Sequence, residues 1–197
     1  MKKFLHVGCG PQNKTNLRGF DSSAWSEVRF DIDPKVSPDI QGTLIDMSLV
    51  QAESMDALYS SHNIEHIFPH EVPVALAEFY RVLKPDGFVV ITCPDLQSVC
   101  EAVASDNLLS PLYNSPAGPI AAIDILYGHR GYISDGNHFM AHKCGFTYSA
   151  LGDAFLCAGF KEIYGGRRPA SFDLWLVAFK NDMAPGQSQE IASTFLP

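Results

Sequence analysis

The sequence predicts an α/β domain built on a doubly wound, mostly parallel sheet that ends in an antiparallel strand pair. Apolar and β-branched runs that read as strands alternate with a helical stretch, as βαβ units require. Phe88–Thr92 is apolar and β-branched, the pattern of a strand buried on both faces. Two late strand-like runs, Phe160–Tyr164 and Phe172–Phe179, are joined by a linker around Gly165-Gly166-Arg167-Arg168-Pro169 that is too short for a helical crossover, so they pair antiparallel.

The elements follow in order. Phe4–Val7 runs into Gly8-Cys9-Gly10-Pro11 and reads as a buried strand ended by a tight turn. Val28–Ile32 is a second strand, closed by Asp33-Pro34 because proline lacks the donor a ladder needs. Thr43–Ile45 is a weaker third strand, and Met55–Tyr59 a fourth that leads into Ser60-Ser61-His62-Asn63. Between Val72 and Leu83, Val74, Leu76, Ala77, Phe79, Tyr80 and Leu83 recur at helical spacing, and Lys84-Pro85-Asp86-Gly87 supplies the stop. Leu96–Ala104 reads as a helix with Asp95 as N-cap. Ser105–Asn137 reads as irregular around the apolar patch Ile120–Tyr127, a lid or binding segment. Thr147–Ala158 is the last helix, stopped by Gly159. The expected organisation is one domain over residues 1–180, with 105–143 as lid or substrate segment and 181–197 as a mobile tail.

With 46% hydrophobic and 18% charged residues, the 197-residue chain is neither collagen-like nor disordered. Fourteen basic against 22 acidic residues, a net of -8, argue against nucleic acid as a partner. Five cysteines without Cys-x-x-Cys spacing fit reduced thiols in a cytoplasmic protein. The apolar stretch in MKKFLHVGCG is too short for a signal-peptide core, and no run is long enough to span a membrane.

Chemistry is carried first by HVGCGPQ, where two glycines flanking one residue let the backbone turn sharply and approach a ligand. Asp31 follows at the end of the second strand, where a carboxylate can accept from both hydroxyls of a ribose. A dinucleotide fingerprint needs glycine at position 13, which is Asn13 here, and Pro11 occupies the helix entrance that would receive a pyrophosphate. A nucleoside cofactor without phosphates, such as S-adenosylmethionine, suits this turn better than a nicotinamide.

From Phe4 to Phe179 these motifs resemble, in order, the class I S-adenosylmethionine-dependent methyltransferases, particularly the type 11 group. FLHVGCG is similar to the first family motif and FDIDP to the second; TLIDM is similar to the adenine-side segment, MDALYSSHNIEHI to the fourth-strand motif, and FYRVLKPDGFVVITCPD to the helix, turn and fifth strand. FTYSALGDAFLCAGF is similar to the late helix and sixth-strand approach. The resemblance implies a Rossmann-like, seven-stranded sheet. It places Gly8, Cys9 and Gly10 at the methionine part of the cofactor, Asp31 at the ribose with Ile32 beside it, Asp46 and Met47 at the adenine, and Ser61 beside the methionine moiety. His62 is then the expected catalytic base near the transfer path. Gln12 departs from the family's third glycine. The family's roofing helices precede its first strand, which is expected here at Phe4, so the roof is expected from 105–143 or from a second copy of the chain in a homodimer.

His62, Glu65 and His66 are spaced i, i+3, i+4 and would share one face of a helix. Two imidazoles and a carboxylate suit a transition metal, but the same residues serve as helix start and pocket wall, and no metal is assigned. In the lid, His129, His138 and His142 with Arg130, Tyr132 and Lys143 are candidates for acceptor contact. The reading is a methyltransferase acting on a small-molecule or sugar-containing acceptor. Its alternatives are a catalytically silent cofactor-binding partner subunit, or a nicotinamide or nucleotide-sugar enzyme with a related sheet.

Overall fold

The structure, a computed structural model, describes all 197 residues. In chain order its strands are β1 (Lys2–Val7), β2 (Trp25–Asp31), β3 (Ile40–Gln41), β4 (Met55–Ser61), β5 (Leu83–Pro94), β6 (Pro111–Ser115), β7 (Gly118–Ala121), β8 (Glu162–Arg168) and β9 (Asp173–Phe179). The α-helices are α1 (Val72–Val82), α2 (Leu96–Ala104), α3 (Ala122–Tyr127), α4 (Arg130–Ser134), α5 (Tyr148–Cys157) and α6 (Gln187–Phe195). Seven strands form one sheet in the order β3-β2-β1-β4-β5-β9-β8, and β6 pairs with β7 in a separate hairpin. β1 to β5 pair parallel, while β9 runs antiparallel to both β5 and β8. The strand order reverses between β1 and β4, the crevice where open α/β sheets bind ligands at the carboxyl ends of their strands. No helix is long and apolar enough to cross a membrane.

Strand side chains alternate between two cores, as a period of two demands. Leu5, Val7, Leu58, Val89, Ile91, Leu174 and Leu176 join a 26-residue cluster under α1 and α5, which contribute Leu76, Phe79, Leu151 and Phe155. Phe4, Ala57, Tyr59, Phe88, Val90, Val177 and Phe179 face the opposite way and meet Leu17, Phe20 and Trp25. That second face has no crossover helix over it. The links from β1 to β2 and from β2 to β3 hold only single 3-10 turns at Lys14–Asn16 and Pro34–Val36.

The second face is closed by the segment expected to be a mobile tail. Residues Gln187–Phe195 form α6, with Ala192 and Phe195 buried, and the Phe195 ring packs against Phe20 and Phe88 at centroid distances of 4.6 and 5.0 Å. Polar composition hid an amphipathic turn whose few apolar residues all face the sheet. The lid also differs from expectation. It is not irregular but holds the β6–β7 hairpin, α3 and α4, anchored by a small core of Val99, Ile120, Ala122 and Ile125. The third strand is Ile40–Gln41, paired with Phe30 and Asp31, and Thr43–Ile45 forms the turn after it.

Candidate active site

The glycine turn leaves β1 in the left-handed region, with φ of 67° at Gly8 and 51° at Gly10. A Cβ at Gly8 would lie 2.3 Å from the Asn63 side-chain nitrogen, whereas one at Gly10 would meet no atom within 4 Å. The turn is braced from β2. The Gly10 N–H donates to Asp31 Oδ2 at 2.8 Å, and the Asp33 N–H donates to Asp31 Oδ1 at 2.9 Å. Arg29 Nη2 donates to the Gly10 carbonyl at 2.6 Å and Nη1 to the Ser37 carbonyl at 2.8 Å. Each Asp31 oxygen accepts one backbone N–H and keeps a further lone pair. Burial pushes the Cys9 thiol up to about 11, so it stays protonated at neutral pH.

Past Asp31 an open groove of about 540 Å³ is lined by Ile32, Ile40, Gly42, Thr43 and Leu49 among others. Ile32 and Leu49 present exposed apolar surface there, Leu49 at 74%. Asp46 is exposed beside this wall, its N–H donating to the Thr43 carbonyl at 3.1 Å. Its carboxylate accepts from the Ser48 N–H at 3.0 Å, and hydrogen bonding from Ser48 holds it below the usual carboxylate range. Met47 does not border the groove. Its side chain is fully buried in the main core, its N–H donates to Glu78 Oε2 at 2.9 Å, and its carbonyl accepts from Arg81 at 2.8 Å. α1 thus holds both the backbone and the side chain of Met47 inward.

At the end of β4, Ser61 is half-buried. His62 sits at φ 48°, its N–H donating to the Thr92 carbonyl at 2.8 Å and its ring 49% exposed. Ile64–His66 is a single 3-10 turn, so His62, Glu65 and His66 do not share a helical face as their spacing suggested. Glu65 is 1% exposed, and neither carboxylate oxygen has a hydrogen-bond partner. Its nearest cationic neighbour is His62 Nδ1 at 3.5 Å. Burial opposes ionisation of Glu65, but the neighbouring His62, His66 and His142 outweigh it and hold the carboxyl below its usual range. For His62, burial is outweighed by Glu65, which raises its affinity for a proton. His142 comes from the far end of the lid, and burial lowers its proton affinity.

The remaining lid candidates are dispersed. Arg130 pairs with Asp124 at 2.7 Å, His129 caps α4 by accepting from the Tyr132 N–H, His138 is exposed, and Lys143 lies 4.9 Å above the Phe68 ring. A cavity of about 190 Å³ opens between Pro94, Leu96, Ile125, Tyr127 and His142. Sequence reasoning missed the ionic rim beside it. Buried Asp95 accepts from Arg167 Nε at 2.8 Å and from Ser98 at 2.5 Å, and Asp173 accepts from Arg168 Nε at 2.8 Å and from Trp175 at 3.2 Å. The adjacent Arg167 and Arg168, which close β8 rather than lying in a linker, were the available signal.

Residues 5–91 match the family described as methyltransferase domain. The fold is that of the S-adenosylmethionine-dependent methyltransferases. One from Archaeoglobus fulgidus is 13% identical with a TM-score of 0.58, over 91% of this chain and 86% of that one. A second, from Mesorhizobium loti, is 13% identical with a TM-score of 0.57, over 90% of each chain. A third similar chain, from a Haloferax volcanii methyltransferase in complex with the Trm112 methyltransferase activator, is 14% identical with a TM-score of 0.53, over 92% of this chain and 83% of that one. No curated protein matches the sequence. The similar proteins from Archaeoglobus fulgidus and Mesorhizobium loti are methyltransferases that depend on S-adenosylmethionine. The residues present fit it: the turn is open at Gly10, and an apolar-walled groove continues past the Asp31 carboxylate.

Proposed function

We propose that the protein transfers a methyl group from S-adenosylmethionine to a small-molecule or sugar-containing acceptor. The observation that carries this reading is the continuity of the left-handed glycine turn, the Asp31 carboxylate and the Ile32–Leu49 groove along the carboxyl ends of β1 and β2. S-adenosylmethionine supplies, when bound, an electrophilic sulfonium methyl group. Gly8, Cys9 and Gly10 offer backbone against its amino-acid part, and the free lone pairs of Asp31 accept from the ribose hydroxyls. Ile32 and Leu49 offer apolar surface to the purine, and Asp46 accepts from its amino group. Ser61 and His62 close the β4 side, and the half-exposed His62 ring is the accessible base for an acceptor proton. The acceptor occupies the cavity of about 190 Å³ beneath the lid, a volume suited to a small molecule or one sugar unit. Acceleration then rests on holding two reactants in line while the lid excludes water.

Calorimetry and thermal shift with S-adenosylhomocysteine, NAD and nucleotide sugars test the cofactor, and a broad acceptor panel tests turnover. S-adenosylhomocysteine is expected to bind and stabilise the chain, and Asp31→Ala to weaken that binding by at least about tenfold, the loss of a charge-assisted contact. Stabilisation by NAD or a nucleotide sugar alone would replace this reading. His62→Ala is expected to lower kcat while leaving S-adenosylhomocysteine affinity near that of the wild type. If neither change alters product formation, the assigned site is wrong.

A further inference from the structure

Glu65 poses a problem that the methyl-transfer reading does not solve. An ionised carboxylate buried without a partner costs several kcal/mol, and proteins avoid it by pairing, neutralisation or metal coordination. Glu65 is 1% exposed and neither oxygen has a hydrogen-bond partner; its one ion-pair contact, His62 Nδ1 at 3.5 Å, is too long for a firm hydrogen bond and comes from a ring half in solvent.

Two further groups converge on it. Glu65, His66 and His142 each offer a ligand atom, all within 4.8 Å of one another. His66 Nδ1 lies 3.1 Å from the Ala141 carbonyl, and His142 Nδ1 lies 2.7 Å from the Ile125 carbonyl. A carbonyl oxygen only accepts, so Nδ1 is the protonated nitrogen of each ring, and the neutral ring keeps its lone pair on Nε2. Orientation of an imidazole through its other nitrogen is the usual outer-shell arrangement of a metal ligand. The two segments are also clamped together, since the N–H groups of Lys143 and Cys144 both donate to the Glu65 carbonyl, at 2.8 and 3.2 Å.

We propose that Glu65, His66 and His142 bind one divalent transition-metal ion. Two imidazoles and one carboxylate select zinc, cobalt, manganese or iron(II) over magnesium, which favours an all-oxygen shell. Ligands at about 2.0–2.2 Å from an ion stand roughly 3–3.5 Å apart, so the widest of the separations needs to close by up to about 1.5 Å. Three protein ligands leave at least one coordination position open. His142 lines the lid cavity, so an oxygen of a molecule held there completes the shell. Where the methyl-transfer reading holds, that oxygen belongs to the acceptor; the ion site itself does not depend on that reading.

The test uses the full chain, stripped with a chelator and titrated with Zn²⁺ and Co²⁺ at micromolar concentration. The expected results are one ion per chain by elemental analysis, visible Co²⁺ d–d absorption and a raised melting temperature. His142→Ala and, separately, His66→Gln are expected to weaken binding at least about tenfold. Circular dichroism of both variants checks that each is folded; the second keeps the test decisive if the first is not. Absence of binding by the folded wild type overturns the proposal, and so does undiminished binding in both variants. Metal titration is independent of S-adenosylhomocysteine binding, so failure of one leaves the other standing.

Discussion

Gly8 and Gly10 share a left-handed backbone but differ in what surrounds them. A side chain in that conformation costs about 1–2 kcal/mol at either position. At Gly8 the added methyl also meets the Asn63 amide at 2.3 Å, while at Gly10 it meets open space. Gly8→Ala is therefore expected to lower the urea midpoint and S-adenosylhomocysteine affinity clearly more than Gly10→Ala. Equal losses in the two variants would contradict the packing of Asn63 against the turn. The glycine turn after β1 and the place of Asp31 at the end of β2 were legible in the sequence because each is set by its own local run of residues. Met47 was not, because Glu78 and Arg81, 31 and 34 residues further on, decide which way it faces. Nor was the partner of Glu65 and His66: the spacing nominated His62, and only the returning lid brings His142 to them.

Among the elements, the strands of the sheet centre announce themselves through alternating or continuous apolar runs, and α1 through its helical spacing. The lid was read as irregular because its prolines and glycines hide elements that exist only by tertiary support. Asp124 illustrates this. It accepts from the Ala121 N–H at 3.0 Å at the start of α3 and from Arg130 Nε and Nη2 at 2.7 and 3.1 Å at the start of α4. Hydrogen bonding from Arg130 holds its carboxyl down at about 2. A depressed folded-state value means that this contribution is fully present above the ordinary carboxylate range, near pH 4, and is lost as pH falls towards 2. Proteolysis within residues 121–135 is therefore expected to accelerate across that window. Asp124→Asn should loosen the segment already at neutral pH and flatten the acid dependence. A variant as protected as the wild type at pH 7 would show that Asp124 does not hold α3 to α4.

At the scale of the whole molecule, the sheet has one face covered by helices between strands and another covered by what lies at the two ends of the chain. Leu17, Phe20 and Trp25 come from the stretch just after the glycine turn, while Ala192 and Phe195 come from α6. Arg18 Nε donates to the Thr194 carbonyl at 3.3 Å, joining the two directly. The stretch that follows the glycine turn and the terminal helix therefore belong to one packing unit, although α6 contributes nothing to the groove itself. Phe195 is 4% exposed, and its truncation to alanine should cost about 3–5 kcal/mol, the range for a buried phenylalanine. Trp25, whose ring meets Phe195 edge-on at 6.1 Å, provides the fluorescence probe. Removing residues 182–197 should have the larger effect, exposing Phe20 and Phe88 and freeing the segment that follows the glycine turn. Both the denaturation midpoint and S-adenosylhomocysteine affinity are expected to fall together, and saturating ligand should restore part of the stability, because binding to the folded state alone adds to it. If the shortened chain keeps its midpoint and its affinity, the second face is held by Leu17, Phe20 and Trp25 without α6. If the midpoint falls but affinity does not, the turn is braced by Arg29 and Asp31 alone.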